Sequence, residues 1–156
     1  TEPDEIRRGH NIHPVIQGYE GAVSLAHELA FHAGALSDIL RETLEDGCAI
    51  PPQGYDDARR IARHARKAAT GLFDDVDALL APSAPGAAPS GLGTTGSALF
   101  NNVWTLTGTP SVNVPGLTNT AGMPLGVQLI GRFGRDKSIL QAGRWLEEKI
   151  AARFRP

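Results

Sequence analysis

The sequence predicts part of an α/β layer rather than a closed barrel. Three observations carry that expectation: two stretches of helical apolar spacing in the first half, three short apolar runs bounded by Pro or Gly, and a final amphipathic stretch. Their order reads helix, helix, strand, helix, strand, strand, helix, the alternation that layers helices on a sheet.

Each element has its own signal. Residues 1–18 are polar or charged for much of their length and carry no clear period, which predicts a loose lead-in before a domain over 19–156. From about Tyr19 apolar residues recur at helical spacing, through Val23, Ala26, Leu29, Ala30, Ala33, Leu36, Leu40 and Leu44, with Gly47 as the expected stop. Pro51-Pro52-Gln53-Gly54 reads as a turn. A second helix is expected from Asp56 to Leu72, with Ala58, Ile61, Ala62, Ala65, Ala68 and Leu72 inward and a basic outer face, Arg59, Arg60, Arg63, Arg66 and Lys67. Val76–Ala81, closed by Pro82, reads as a buried strand. A small helix is expected over Ala98–Leu106, strands over Ser111–Pro115 and Leu125–Ile130, and a turn over Thr118–Gly122. Asp136 reads as the N-cap of a last helix through Ile150, with Leu140, Trp145, Leu146 and Ile150 as its stripe.

Composition excludes more than it assigns. The hydrophobic share of 41% and charged share of 21% fit a folded protein rather than a disordered tail. A net charge of −2 gives no reason to expect a nucleic-acid or membrane surface. No apolar run approaches the roughly 18–20 residues of a membrane helix, and no signal-peptide pattern opens the chain. Cys48 is the single cysteine, which fits a reducing compartment and a cytoplasmic location. The only methionine is Met123, so the chain is expected either to have lost its initiator or to have been cut from something longer. No Asp, Glu, Lys, Arg or His occurs from Ala78 to Gly131. A surface stretch of that length is normally charged, so the segment is expected to be mostly buried, partly against protein absent from this chain.

Several short motifs look like chemistry and fail on their context. Gly91-Leu92-Gly93-Thr94-Thr95-Gly96 spells the dinucleotide fingerprint, but the preceding strand ends near Ala81 and no acidic residue follows before Asp136. His27 and His32 flank a zinc-protease-like run with one residue too many, which in a continuous helix sets the imidazoles about 140° apart. His10 and His13 have no third ligand nearby in the sequence. Cys48 lies at a helix end rather than at an N-terminus, where a thiolate is favoured. Ser83, Ser90, Ser97 and Ser111 have no sequence-local base. The basic face from Arg59 to Lys67 is interspersed with acid and reads as a solvated helix face.

Phe100-Asn101-Asn102 followed by Gly108-Thr109-Pro110-Ser111-Val112-Asn113-Val114-Pro115 resembles the amidase-signature family, in which a Phe-Asn opening leads to Gly-x-Pro, a short strand and Pro. Gly122-Met123-Pro124-Leu125-Gly126-Val127-Gln128 is similar to the family's Gly-Leu-Pro-x-Gly-x-Gln strand. Asp77–Pro85 resembles its strand ending in Pro-Thr-x-Pro, with Ser83 in place of the Thr. The resemblance covers about Tyr19 to the C-terminus. It implies the C-terminal part of the amidase-signature fold, a mixed β-sheet layered with helices.

The same resemblance implies carboxamide C–N cleavage by a serine nucleophile, a second serine with a cis peptide bond and a lysine base, as in amidases and the A subunits of amidotransferases. No Gly-Gly-Ser-Ser-Gly-Gly-like segment is present, and Lys67, Lys137 and Lys149 lie outside the family's lysine motif. No catalytic, cofactor-binding or metal-binding residue is therefore carried over, and no cofactor is expected. Asn101, Asn102 and Trp104 are candidates for a pocket wall that packing explains equally well. The expectation is an inactive C-terminal fragment of a serine amidase, partnered by a missing N-terminal part, taking a small amide and prone to self-association. The alternatives are a non-catalytic binding or assembly module of this fold, and a cysteine-dependent enzyme using Cys48 and a histidine, which predicts rapid thiol alkylation at neutral pH.

Overall fold

Residues expected to be a loose lead-in form most of a long helix, α1 (Asp4–Ser24), in the computed structural model, which describes residues 2–154. Its small and apolar residues explain why the period is faint: Ile6, Gly9, Gly18 and Ala22 are the buried positions. Asp4 and Glu5 in the first turn complement the helix dipole, and Asp4 pairs with Arg7. Pro14 lies inside the helix, a residue that ordinarily marks its end.

The single helix expected from Tyr19 to Leu44 is broken. Helix α2 (Ala26–Phe31) follows α1, then a short 3-10 turn at Ala33–Ala35, then α3 (Asp38–Ala49). Ser37 starts α3 by accepting a hydrogen bond from the Leu40 backbone N–H at 3.3 Å. Gly47 is not a stop: it lies buried within α3 against Gly18 of α1, so the two helices cross at backbone contact. Helix α4 (Pro52–Gly71) starts earlier than expected, because Pro52 occupies the first helical position, where its missing N–H costs nothing.

The chain divides into two units, Thr1–Ala65 and Arg66–Pro156. Within the first, Tyr19 of α1 stacks on Tyr55 of α4 with centroids 4.1 Å apart, and the Tyr55 hydroxyl donates to Glu20 at 2.7 Å. That hydrogen bond raises the Tyr55 pKa. Burial lowers the pKa of His13, with His10 adding a repulsion of like charge. The unfolded chain therefore takes up a proton at His13 before the folded chain does. Stability is fully present above the ordinary histidine pKa of about 6.5 and falls as pH drops through the lower folded value. His13→Gln is expected to flatten that decline below about pH 6.5 in urea titrations across pH.

The second unit is built on a three-stranded sheet ordered β1 (Leu79–Pro82), β3 (Pro124–Ile130), β2 (Ser111–Thr118). Both pairings are antiparallel, which corrects the expected mixed sheet. The β2–β3 turn is closed by Asn119, whose side-chain oxygen accepts the backbone N–H groups of Ala121 at 3.0 Å and Met123 at 2.9 Å. Helix α6 (Asp136–Phe154) packs on the face carrying Val112, Val114, Val127 and Leu129, through Ile139, Ala142, Leu146 and Ile150. Leu140 and Trp145, expected on this stripe, are 60% and 59% exposed, because the buried row is set by Ile139 rather than by its neighbour.

Helix α5 (Asn102–Thr107) is stopped by Gly108 in the left-handed region at φ 70°, a conformation that suits glycine. Its last carbonyls are capped by Arg66, whose Nε donates to the Thr107 carbonyl at 2.9 Å. Among the described residues no helix is long and apolar enough to cross a membrane.

Candidate functional site

On the sheet face opposite α6, alternation along β3 presents Gly126 and Gln128. Three amide side chains meet there around the end of β1. Gln128, only 2% exposed, donates to the Pro82 carbonyl at 3.2 Å and to the Phe100 carbonyl at 2.7 Å. Asn101 donates to the Ser83 carbonyl at 3.1 Å. The Ser83 hydroxyl donates to Asn113 Oδ1 at 2.5 Å, and its backbone N–H donates to the Gly126 carbonyl at 3.1 Å. Gly126 is required by this meeting, since a Cβ there would lie 2.2 Å from Asn113 Oδ1. Ser83 is thus held at its hydroxyl, amide and carbonyl at once.

A cavity of about 390 Å³ opens beside this clamp, lined by residues 83–89, 95–97 and 124–126. Two others, of about 400 and 440 Å³, lie in the first unit. The Ser83 cavity is the stronger candidate because a fixed polar network borders it. The uncharged stretch Ala78–Gly131 is only partly buried within this chain. Only parts of α5, β2 and β3 are buried, while residues 88–99 are exposed and Leu92 is wholly so. The Gly/Pro/Ser run has no periodic apolar face to bury; it forms the cavity wall instead.

The remaining sequence candidates separate. Gly91 and Gly96 take positive φ in a loop, and no helix starts at Gly96. His27 and His32 come closer than a continuous helix allows, with ring centroids 5.4 Å apart, because α2 ends at Phe31. Among the described residues no three His, Cys, Asp or Glu side chains gather as a metal-ligand set. Cys48 is exposed, and the groove beside it is lined by Tyr19, Val23, Ile50 and their neighbours without an imidazole. On the basic face of α4, Arg60 pairs with Asp57, Arg59 lies over Tyr55, and Arg66 caps α5.

The family model for Amidase matches residues 28–140. The chain belongs to the amidase family. It is 31% identical over 141 residues to the A subunit of the glutamyl-tRNA(Gln) amidotransferase of Gluconobacter oxydans (strain 621H), covering 81% of this chain and 28% of that protein. It is 34% identical over 128 residues to the A subunit of the same amidotransferase from Brucella suis biovar 1 (strain 1330), covering 70% and 25%. The structure is similar to the crystal structure of an amidase, with TM-score 0.83, 29% identity, and coverage of 90% of this chain and 35% of that one. It is also similar to a chain of an inhibitor-bound complex described as revealing the origins of an s-triazine catabolic enzyme, with TM-score 0.84, 28% identity, and coverage of 99% and 36%. The chain spans about a quarter of the length of these curated relatives.

These findings correct the expected extent of the likeness. It does not begin near Tyr19: one superposition takes in 99% of this chain, α1 included, against 36% of the other chain. They do not support an inactive fragment whose partner is a missing N-terminal part. The early residues escaped the resemblance because α1 packs through glycine and alanine, which leave no quotable motif.

Proposed function

We propose that this amidase-family chain is a hydrolase that cleaves the C–N bond of a small carboxamide, seating its substrate in the cavity beside Ser83. The family match over residues 28–140 carries the reading. Relatives named as an amidase and as the A subunit of an amidotransferase support a carboxamide as the substrate class. In the reaction an oxygen nucleophile adds to the amide carbon and the C–N bond breaks as nitrogen takes a proton. Across the whole reaction water adds OH to the acyl carbon and H to the nitrogen, giving a carboxylic acid and ammonia. Ser83 serves as a wall and positioning group in this reading, since its hydroxyl is committed to Asn113 Oδ1, an amide oxygen that is not a base. The lone, exposed Cys48 fits a cytoplasmic site of action.

Ammonia release from aliphatic and aromatic primary amides tests the proposal. Turnover proportional to the amount of chain, and surviving repurification, is the expected result. Release no faster than buffer across the panel would refute it.

A further inference from the structure

We propose that His27 and His32 form a two-histidine site for a single divalent ion of the zinc, nickel or copper(II) class, with water completing its coordination. The sequence argues against such a pair, since the same spacing along a continuous helix would set the imidazoles about 140° apart. The chain removes that objection by ending α2 at Phe31. His32 follows as the C-cap, at φ −135° and ψ 24°, and leads into the 3-10 turn of Ala33–Ala35. Its ring comes to lie beside that of His27, with centroids 5.4 Å apart and 63° between the planes.

That separation suits a shared ion. A metal–nitrogen bond of about 2.1 Å puts the ion about 3.2 Å from each ring centre, so two imidazoles at a tetrahedral angle have centroids about 5.3 Å apart. Each ring centre lies close to its own Cβ–Cγ axis. Turning the rings about that soft bond therefore aims a nitrogen of each at the ion with little change in the spacing. Both side chains are exposed, which leaves the rings room to turn and the ion room to keep its waters. The other aromatic neighbour of His27, Phe31 at 5.0 Å between centroids, offers nothing for a ring nitrogen to bond. Among the described residues no third His, Cys, Asp or Glu joins the pair. Imidazole donors select borderline ions over magnesium and calcium, which prefer oxygen. Bound there, the ion ties the first turn of α2 to the residue just past its end and braces the corner between α2 and the 3-10 turn.

Zinc sulfate titrated into the whole chain, followed through the ring resonances of all five histidines, tests the site. The rings of His27 and His32 are expected to shift together and saturate at one ion per chain, while magnesium at the same concentration moves neither. His27→Gln and His32→Gln are each expected to weaken zinc binding at this site about tenfold or more, since even losing a group that supports a ligand costs that much. His64→Gln, on α4, is expected to leave it unchanged. Amide exchange across His32–Leu36 is expected to slow when zinc is bound, and exchange that is no slower would overturn the bracing role. Rings of His27 and His32 that stay unmoved at about 1 mM zinc, whether the ion goes to His10, His13 or Cys48 or nowhere, would overturn the site itself. So would full affinity in both single variants.

Discussion

Gly47→Ala is expected to destabilise the first unit by about 3 kcal/mol, lowering its urea midpoint and its helical signal together. The methyl group would sit 2.1 Å from the Gly18 carbonyl oxygen and 2.6 Å from its carbon, so backbone rather than a side-chain tip must move. Alanine's better helix propensity returns only about 1 kcal/mol. Separating α1 from α3 would also loosen the packing of Ala22 and Leu44, both buried. Gly21→Ala supplies the opposite sign in the same helix pair. Its added methyl would meet only Leu44 Cδ2 at 3.5 Å, an ordinary contact, so a gain of about 0.5–1 kcal/mol is expected. Similar midpoints for the two variants would refute the close crossing.

Gln128→Leu is expected to cost roughly 3 kcal/mol in the second unit, although leucine fits the strand and removes a polar group. The reason is what it leaves behind. The carbonyls of Pro82 and Phe100 both lose their donor, and each is partly buried. The loss should be local as well as global. Amide hydrogen exchange of residues 100–102 and of Ser83 is expected to quicken more than that of β2, whose ladder with β3 is untouched. Uniform quickening would mean that Gln128 merely fills space.

The parts of this fold legible in the sequence are those with a long period or strong punctuation. Helix α4 shows its apolar row from Ala58 through Ala65, and the β2–β3 hairpin shows two apolar runs around a turn ending in Gly122 and Pro124. What hides α1 is the identity of its buried residues: two of the four are glycines, which no periodicity count scores as apolar, and Pro14 interrupts the pattern. The break after Ser24 is invisible for the reverse reason. Apolar residues keep their spacing through Leu25–Leu36, while the start of α3 rests on one hydrogen bond that the Ser37 side chain accepts from the Leu40 N–H. The row on α6 reads one residue off at Leu140, because Ile139 and Leu140 are equally apolar and only the sheet decides which turns inward.

The candidate site is less legible still. The motifs of the resemblance include Phe100-Asn101, Gly126 and Gln128, yet nothing in their spacing says that they converge with Asn113 around Ser83. Their meeting depends on β3 lying between β1 and β2, an order that strand sequences alone do not encode. Gln128 does carry one signal, a polar residue inside an apolar strand, which commonly means a buried hydrogen-bonding duty. The absence of charge from Ala78 to Gly131 is visible at once; within this chain its loop over residues 88–99 is exposed, and residues 88–89 and 95–97 of that loop line the cavity.

The most direct test of the proposed site is kcat/KM for benzamide hydrolysis by the chain and by its Asn101→Ala variant, with ammonia as the readout. Asn101 holds the Ser83 carbonyl from a half-buried position, so its loss should cost only about 1 kcal/mol of stability while freeing the cavity wall. Ammonia release by the unaltered chain is expected, with a fall of about tenfold or more in the folded variant. Full activity in Asn101→Ala, or no release by the unaltered chain, would contradict the role given to the Ser83 cavity.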